Sequence, residues 1–164
     1  MNNYPNSQLP TPNSRRKGFT LIELLVVVAI IGLLLSIISA AVSAQRIKAK
    51  DARRIADLKA VKSGMDLYYD QGGGYPDAGE WVTGAQLSCS GTQIVQIPKD
   101  PAYPIYQYAY APTGGNFPGC GGTVYRGYTF TFYIENKALY YYMDEEGIVK
   151  DQATGNQVSL DSLL

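Results

Sequence analysis

The amino-acid sequence predicts an α+β fold in which a long amino-terminal α-helix, membrane-spanning in its first half, packs against a small antiparallel sheet of three or four strands. Three observations lead there. Leu24–Gln45 is a run of twenty-two residues without charge. No proline interrupts the chain between Pro12 and Pro76. From residue 76 onward the texture turns to glycine, proline, threonine and tyrosine with short period-two patterns, which suit strands and tight turns.

Residues 1–14 are polar and hold three prolines, so they cannot bury a core and read as a disordered leader. Arg15, Arg16 and Lys17 follow, then Gly18, Phe19 and a lone acid, Glu23. As a helix, Leu24–Gln45 would extend about 33 Å, which matches a bilayer core of about 30 Å. A carboxylate at the head of such a span costs about 2–3 kcal/mol or more in hydrocarbon, so Glu23 asks for a compensating partner.

The helix need not stop at the membrane surface. Ile55, Leu58, Val61, Met65 and Tyr68 or Tyr69 recur at three- and four-residue spacing and form one apolar stripe. Arg53, Arg54, Asp57 and Lys59 fall elsewhere and read as a solvated face, while Arg46, Lys48 and Lys50 could sit near lipid headgroups. Gln71–Pro76 ends the helix, since its glycines permit a left-handed cap and Pro76 cannot continue it. A helix from Phe19 to about Asp70 would be about 78 Å long.

Farther on, Ile94–Pro104 reads as irregular because of prolines 98, 101 and 104. Tyr106, Tyr108 and Tyr110 alternate as a strand requires, and Tyr128, Phe130, Phe132 and Ile134 do so again. Glu135-Asn136-Lys137 turns into a strand over Ala138–Met143, and Asp144-Glu145-Glu146-Gly147 turns into Ile148–Lys150.

Composition excludes several function classes. The formal charge is zero, but the leader takes three of the fourteen Lys/Arg, leaving eleven against all fourteen Asp/Glu. The rest of the chain is therefore mildly acidic and has no general pull towards nucleic acid. There is no histidine, which removes Ser-His-Asp and Cys-His nucleophile pairs and every His-containing metal site. Two cysteines are too few for a Cys-only zinc site. No serine or aspartate forms a constellation with a base, so the chain is not expected to be an enzyme.

Lys17-Gly18-Phe19-Thr20-Leu21-Ile22-Glu23, followed by the apolar run, resembles the processing motif of type IV pilins and type II secretion pseudopilins. The likeness continues through Lys50–Arg54 with Asp57-Leu58, through Tyr68-Tyr69 and Gly74-Tyr75-Pro76, and at Pro98-Lys99-Asp100-Pro101 with Tyr106-Gln107-Tyr108. Many members carry a proline near the position of Ala40; this chain does not. The resemblance implies a pilin-like fold and prepilin peptidase cleavage between Gly18 and Phe19. It further implies N-methylation of Phe19 and an assembly role for Glu23, which would pair with a neighbour's amino-terminal ammonium. The chain would divide into a cleaved leader (1–18), a transmembrane and polymerisation helix (19–45), its amphipathic continuation (46–70) and an exported β-rich domain (71–164).

The implied function is a structural, major-type subunit of a type IV pilus-like filament. The alternatives are a type II secretion pseudopilin, or a minor pilin acting as a tip module for adhesion or DNA uptake. The implied partners are copies of itself, a prepilin peptidase, an inner-membrane assembly platform and its cytoplasmic ATPase, with nucleic acid unexpected. The precursor would sit in the cytoplasmic membrane with its amino terminus in the cytoplasm, then enter an extracellular or periplasmic filament. An ordinary secretory signal ending at Val42-Ser43-Ala44 competes, but its apolar run is too long and leaves Glu23 without purpose. In the exported part Cys89 and Cys120 could form a disulfide or remain free thiols. No cofactor is expected; Asp144, Glu145, Glu146 and Asp151 are weak calcium candidates, with a solvated turn as the competing reading.

Overall fold

The computed structural model describes residues 18–164; the leader assigned to residues 1–18 lies outside these except for Gly18. The chain divides into two units, one ending at Ala41 and one spanning Val42–Leu164. Helix α1, Leu21–Gly72, runs without a break through the position where many pilins have proline.

In the second unit α1 presents the predicted stripe to the core. Ile55, Leu58, Val61, Met65 and Tyr68 are buried, and Tyr69 is exposed, which resolves the Tyr68/Tyr69 ambiguity. Each such fully buried side chain contributes about 1.5–3 kcal/mol. The helix ends at Gly73, whose φ of +74° is the left-handed cap, with its N–H donating to the Tyr69 carbonyl at 2.7 Å.

The remainder forms eight strands: β1 (Tyr75–Pro76), β2 (Gln86–Cys89), β3 (Thr92–Gln96), β4 (Ala109–Gly119), β5 (Gly122–Ile134), β6 (Leu139–Asp144), β7 (Val149–Asp151) and β8 (Gln157–Val158). The main sheet is antiparallel in the order β1-β5-β6-β7-β8, with β4 also pairing β5, and β2–β3 forms a separate hairpin. Six strands therefore replace the expected three or four, two of them only two residues long. Val124, Tyr128, Phe130, Phe132 and Ile134 of β5, with Tyr141, Met143 and Val149, belong to the same buried core as the helix stripe.

Two expectations need correction. Ile94–Gln96 is strand rather than irregular chain: it pairs with β2 across a Ser90–Gly91 turn in which both residues have positive φ. Tyr106 and Tyr108 precede β4, which begins at Ala109 and runs to Gly119 through Gly114-Gly115 and two prolines. A register shift between Thr113 and Asn116 absorbs that glycine pair, and the pairing then resumes to a Cys120–Gly121 turn, again with positive φ at both residues. Glycine and proline in that segment hid the strand, because a bulge tolerates residues that a regular ladder does not.

The largest departure is Arg54, which is fully buried rather than on a solvated face. Its Nε and Nη2 grip Asp100 at 2.7 and 2.8 Å, Nη1 donates to Asp51 at 2.7 Å, and Nη2 also reaches Glu135 at 2.8 Å. Tyr106 lies against the guanidinium, with its ring centre 5.6 Å from Cζ. Asp51 in turn accepts the backbone N–H groups of Glu135 and Asn136 at 3.0 and 2.9 Å. A buried ion is tolerated only when most of its donors and acceptors are satisfied, and here four of the five guanidinium N–H groups find a carboxylate. Removing one partner leaves the other charges uncompensated. Arg54→Ala should therefore lower the stability of the detergent-solubilised chain by about 3–5 kcal/mol, read from urea unfolding by circular dichroism. A loss comparable to that of a surface substitution would refute the clamp.

Asp57 supplies a pH test. Burial pushes its carboxyl above the usual aspartate range, against the opposing hydrogen bond from the Tyr108 hydroxyl at 2.8 Å. The native state then holds the proton more readily than the unfolded chain. The contribution of this group to stability grows as pH falls through the raised value and is lost as pH rises through it. Asp57→Asn should flatten that part of the stability–pH curve in pH-dependent melting.

Candidate assembly site at the helix head

Gly18, Phe19 and Thr20 lead into α1, so Thr20 occupies the cap position and Glu23 the third helical position. The Thr20 N–H and hydroxyl donate to Glu23 Oε2 at 2.9 and 2.8 Å, and the Glu23 N–H donates to Thr20 Oγ1 at 3.3 Å. This is a reciprocal capping box: each residue satisfies an amide that the first turn leaves without a helical acceptor. The carboxylate also faces the positive end of the helix dipole. Both of its contacts fall on Oε2; among the described residues Oε1 has no partner.

Below this cap the large apolar side chains between Leu21 and Val42 are exposed on every side. By length and composition α1 is able to cross a membrane. Ser36 does not disturb this, because its hydroxyl donates to the Leu33 carbonyl at 2.7 Å and leaves no hydrogen-bonding demand on lipid. A helix surface of this kind has two suitable environments: hydrocarbon, or the sides of similar helices.

The other candidate residues lie elsewhere. Cys89 and Cys120 form a disulfide with Cα atoms 4.8 Å apart, tying the β2–β3 hairpin to the β4–β5 turn. Their separation of 31 residues corresponds to about 3–4 kcal/mol in the chain-entropy account. Gly72 faces this bridge so closely that an added Cβ would collide with Cys120 Sγ, which explains glycine as the last residue of α1.

Among the described residues no group of three or more His, Cys, Asp or Glu side chains that could hold a metal ion occurs, and the calcium candidates Asp144, Glu145, Glu146 and Asp151 lie at the turns around β7. Asp144 accepts the Ile148 N–H at 2.8 Å and faces Lys150 Nζ at 3.3 Å. Asp151 accepts the N–H groups of Ala153 and Thr154 at 2.7 and 3.1 Å. Both acids hold their own turns.

Thr20 was not singled out from the sequence, although Thr-x-x-Glu ahead of an apolar run is the capping-box spacing. Thr20→Val removes the hydroxyl while keeping the shape, and such a loss costs a helix about 1 kcal/mol. Faster amide exchange in the first turn of α1 is the expected outcome in micelles, with Thr20→Ser close to wild type. Unchanged exchange in Thr20→Val would contradict the cap.

Comparison with known proteins agrees with this geometry. Residues 13–39 match the model of the prokaryotic N-terminal methylation motif. The type II secretion system core protein G of Vibrio cholerae is 28% identical over 67% of this chain and 77% of its own length. That of Pseudomonas aeruginosa is 28% identical over 63% of this chain and 80% of its own. The protein of the same name from Dickeya chrysanthemi is 34% identical over 38% of this chain and 40% of its own. No solved structure matches the chain. A methylation motif running into an exposed apolar helix, and likeness that continues into the β-rich unit, support the type IV pilin and pseudopilin family for this chain.

Proposed function

We propose that the chain is a pseudopilin, a structural subunit that is held in the membrane as a precursor and polymerises through its amino-terminal helix. One observation carries this reading: relatives named as type II secretion core protein G match over more than three quarters of their own length, well past the methylation motif. This favours the secretion alternative over the major pilin of a surface pilus. The family is one of structural subunits, and the proposed role requires no catalysis.

In this reading the leader is removed after Gly18, and Phe19 becomes the methylated amino terminus. Glu23 then has two kinds of partner. Thr20 occupies Oε2 within the subunit, and Oε1 remains for the amino-terminal ammonium of a neighbour. In low dielectric that pairing selects one axial offset between neighbouring subunits, while packing of the apolar helices supplies most of the cohesion. Assembly would need a prepilin peptidase, the inner-membrane platform and its ATPase.

Mass spectrometry of the mature protein should find N-methylphenylalanine at residue 19; a chain starting at Met1 or Gln45 would overturn the processing step. Glu23→Ala should be processed normally yet fail to enter filaments and fail to support export of secreted enzymes in the native host. Normal export by a strain lacking the gene, with loss of surface fibres, would return the function to a pilus.

A further inference from the structure

β4 is an edge strand of the main sheet: its 11 residues pair with β5 alone. A strand in that position presents a row of unused N–H and C=O groups, with which the same strand of a second copy can pair. Very short edges, charged side chains, covering loops and proline each prevent this. The sheet ends on its other side at β8, which is only 2 residues long. β4 is long, and Ala109–Gly119 contains no charged residue. The formal charge of the chain is zero, so overall repulsion between copies is weak as well. What the edge does contain is Pro112 and Pro118.

The hydrogen bonds of the sheet show which way these prolines face. Gln152 N–H donates to the Tyr140 carbonyl at 3.1 Å, so the Tyr140 backbone is turned towards β7 and that of Tyr141 towards β5. Tyr141 pairs with Phe132, and Phe132 therefore faces β6. Alternation along β5 then turns Thr129 and Thr131 towards β4, where they pair with Ala111 and Ala109. Tyr110 and Pro112 are left facing outward. Near the turn, Gly119 and Gly122 flank the two-residue Cys120–Gly121 connection and face each other. One step back along β4, Pro118 faces outward, and Asn116 does so with it.

Along this outer row Tyr110 and Asn116 offer an N–H, and the two prolines do not. An incoming antiparallel strand needs donors at alternate positions, and here each donor is followed by a ring that supplies none. The irregularity at Gly114-Gly115 bends the edge further from a flat template. Proline on the inner row would break the ladder to β5. On the outer row it denies a partner without costing the sheet a hydrogen bond.

We propose that β4 is a guarded edge: Pro112 and Pro118 prevent a second copy of this chain from extending the sheet of the unit Val42–Leu164. The guard matters most in the proposed filament, which would hold copies side by side, but it belongs to this unit and does not depend on that reading.

The full chain in excess detergent, at one copy per micelle, tests it. In the wild type the amides of Tyr110 and Asn116 should exchange fast, at rates independent of protein concentration. Pro112→Thr with Pro118→Thr restores both donors on a residue suited to strands. Sedimentation should then show self-association tighter by about tenfold, with amide exchange at positions 110, 112, 116 and 118 slowing as concentration rises. Pro112→Lys with Pro118→Lys restores the same donors but charges the edge, and should stay as dispersed as the wild type. Circular dichroism and an intact Cys89–Cys120 bridge report that each variant is folded. A folded threonine variant that associates no more than the wild type overturns the proposal. Association that leaves the β4 amides exchanging freely also overturns it, because it runs through another surface. Should the double variants not fold, the wild type decides: free exchange at Tyr110 and Asn116 supports the guard, and protection that grows with concentration refutes it.

Discussion

A single helix in this protein must satisfy two solvents, and the rest of the structure follows from that constraint. Over its first half α1 has no polar side chain that needs water apart from the capped Glu23, and its apolar residues are exposed on every side. Over its second half only one stripe is apolar, and that stripe is buried. The period of the pattern changes around Val42–Arg46, where apolar residues give way to alternating small and charged ones. A helix surrounded by hydrocarbon needs no sheet, whereas one in water must cover its stripe. The antiparallel sheet supplies that cover.

Burying Arg54 beneath the sheet is the costly choice in this design. A hydrophobic side chain of similar size would fill the space without the desolvation penalty, so the ion cluster is weak evidence for stability as such. Its geometry selects one arrangement. The fork on Asp100 fixes the loop after β3, the contact with Glu135 fixes the β5–β6 turn, and Asp51 reads the backbone of that same turn. Two segments distant in sequence converge on one turn of helix, and a shifted register would strand at least one charge.

The helix was legible because periodicity is local: the charge-free run, the stripe from Ile55 to Tyr68 and the Gly73 cap each depend on neighbours within a few residues. The inner face of β5 was legible for the same reason. Arg54 was not, since its burial depends on Asp100 and Glu135, which only tertiary folding brings near. The β2–β3 hairpin escaped because Ser90 takes a positive φ that serine seldom adopts, so its Ser-Gly turn looked like ordinary loop. Tyr110 in the first half of β4 was legible as strand, but the stretch from Gly114-Gly115 onward was not, although a bulge accommodates the pair. At the helix head Glu23 was conspicuous as a charge, and its local partner Thr20 was not, because Thr20 had been read as part of a processing motif rather than as a cap.

That partner alters the energetics of assembly. A bare carboxylate in hydrocarbon would make the lone subunit strongly unfavourable, and any pairing would then appear decisive. With two donors from Thr20 already on Oε2, part of the cost is met before a neighbour arrives. In the proposed assembly, a neighbour's ammonium would therefore contribute less than the full cost of a buried charge, but would act on an oxygen held in place by the cap. A carboxylate held by the cap presents its other oxygen in one direction, so in the proposed assembly the restraint that weakens the driving force would sharpen the register. In the proposed assembly, Glu23 would let the precursor wait in the membrane at tolerable cost and would still disfavour neighbours whose offset places no ammonium against Oε1.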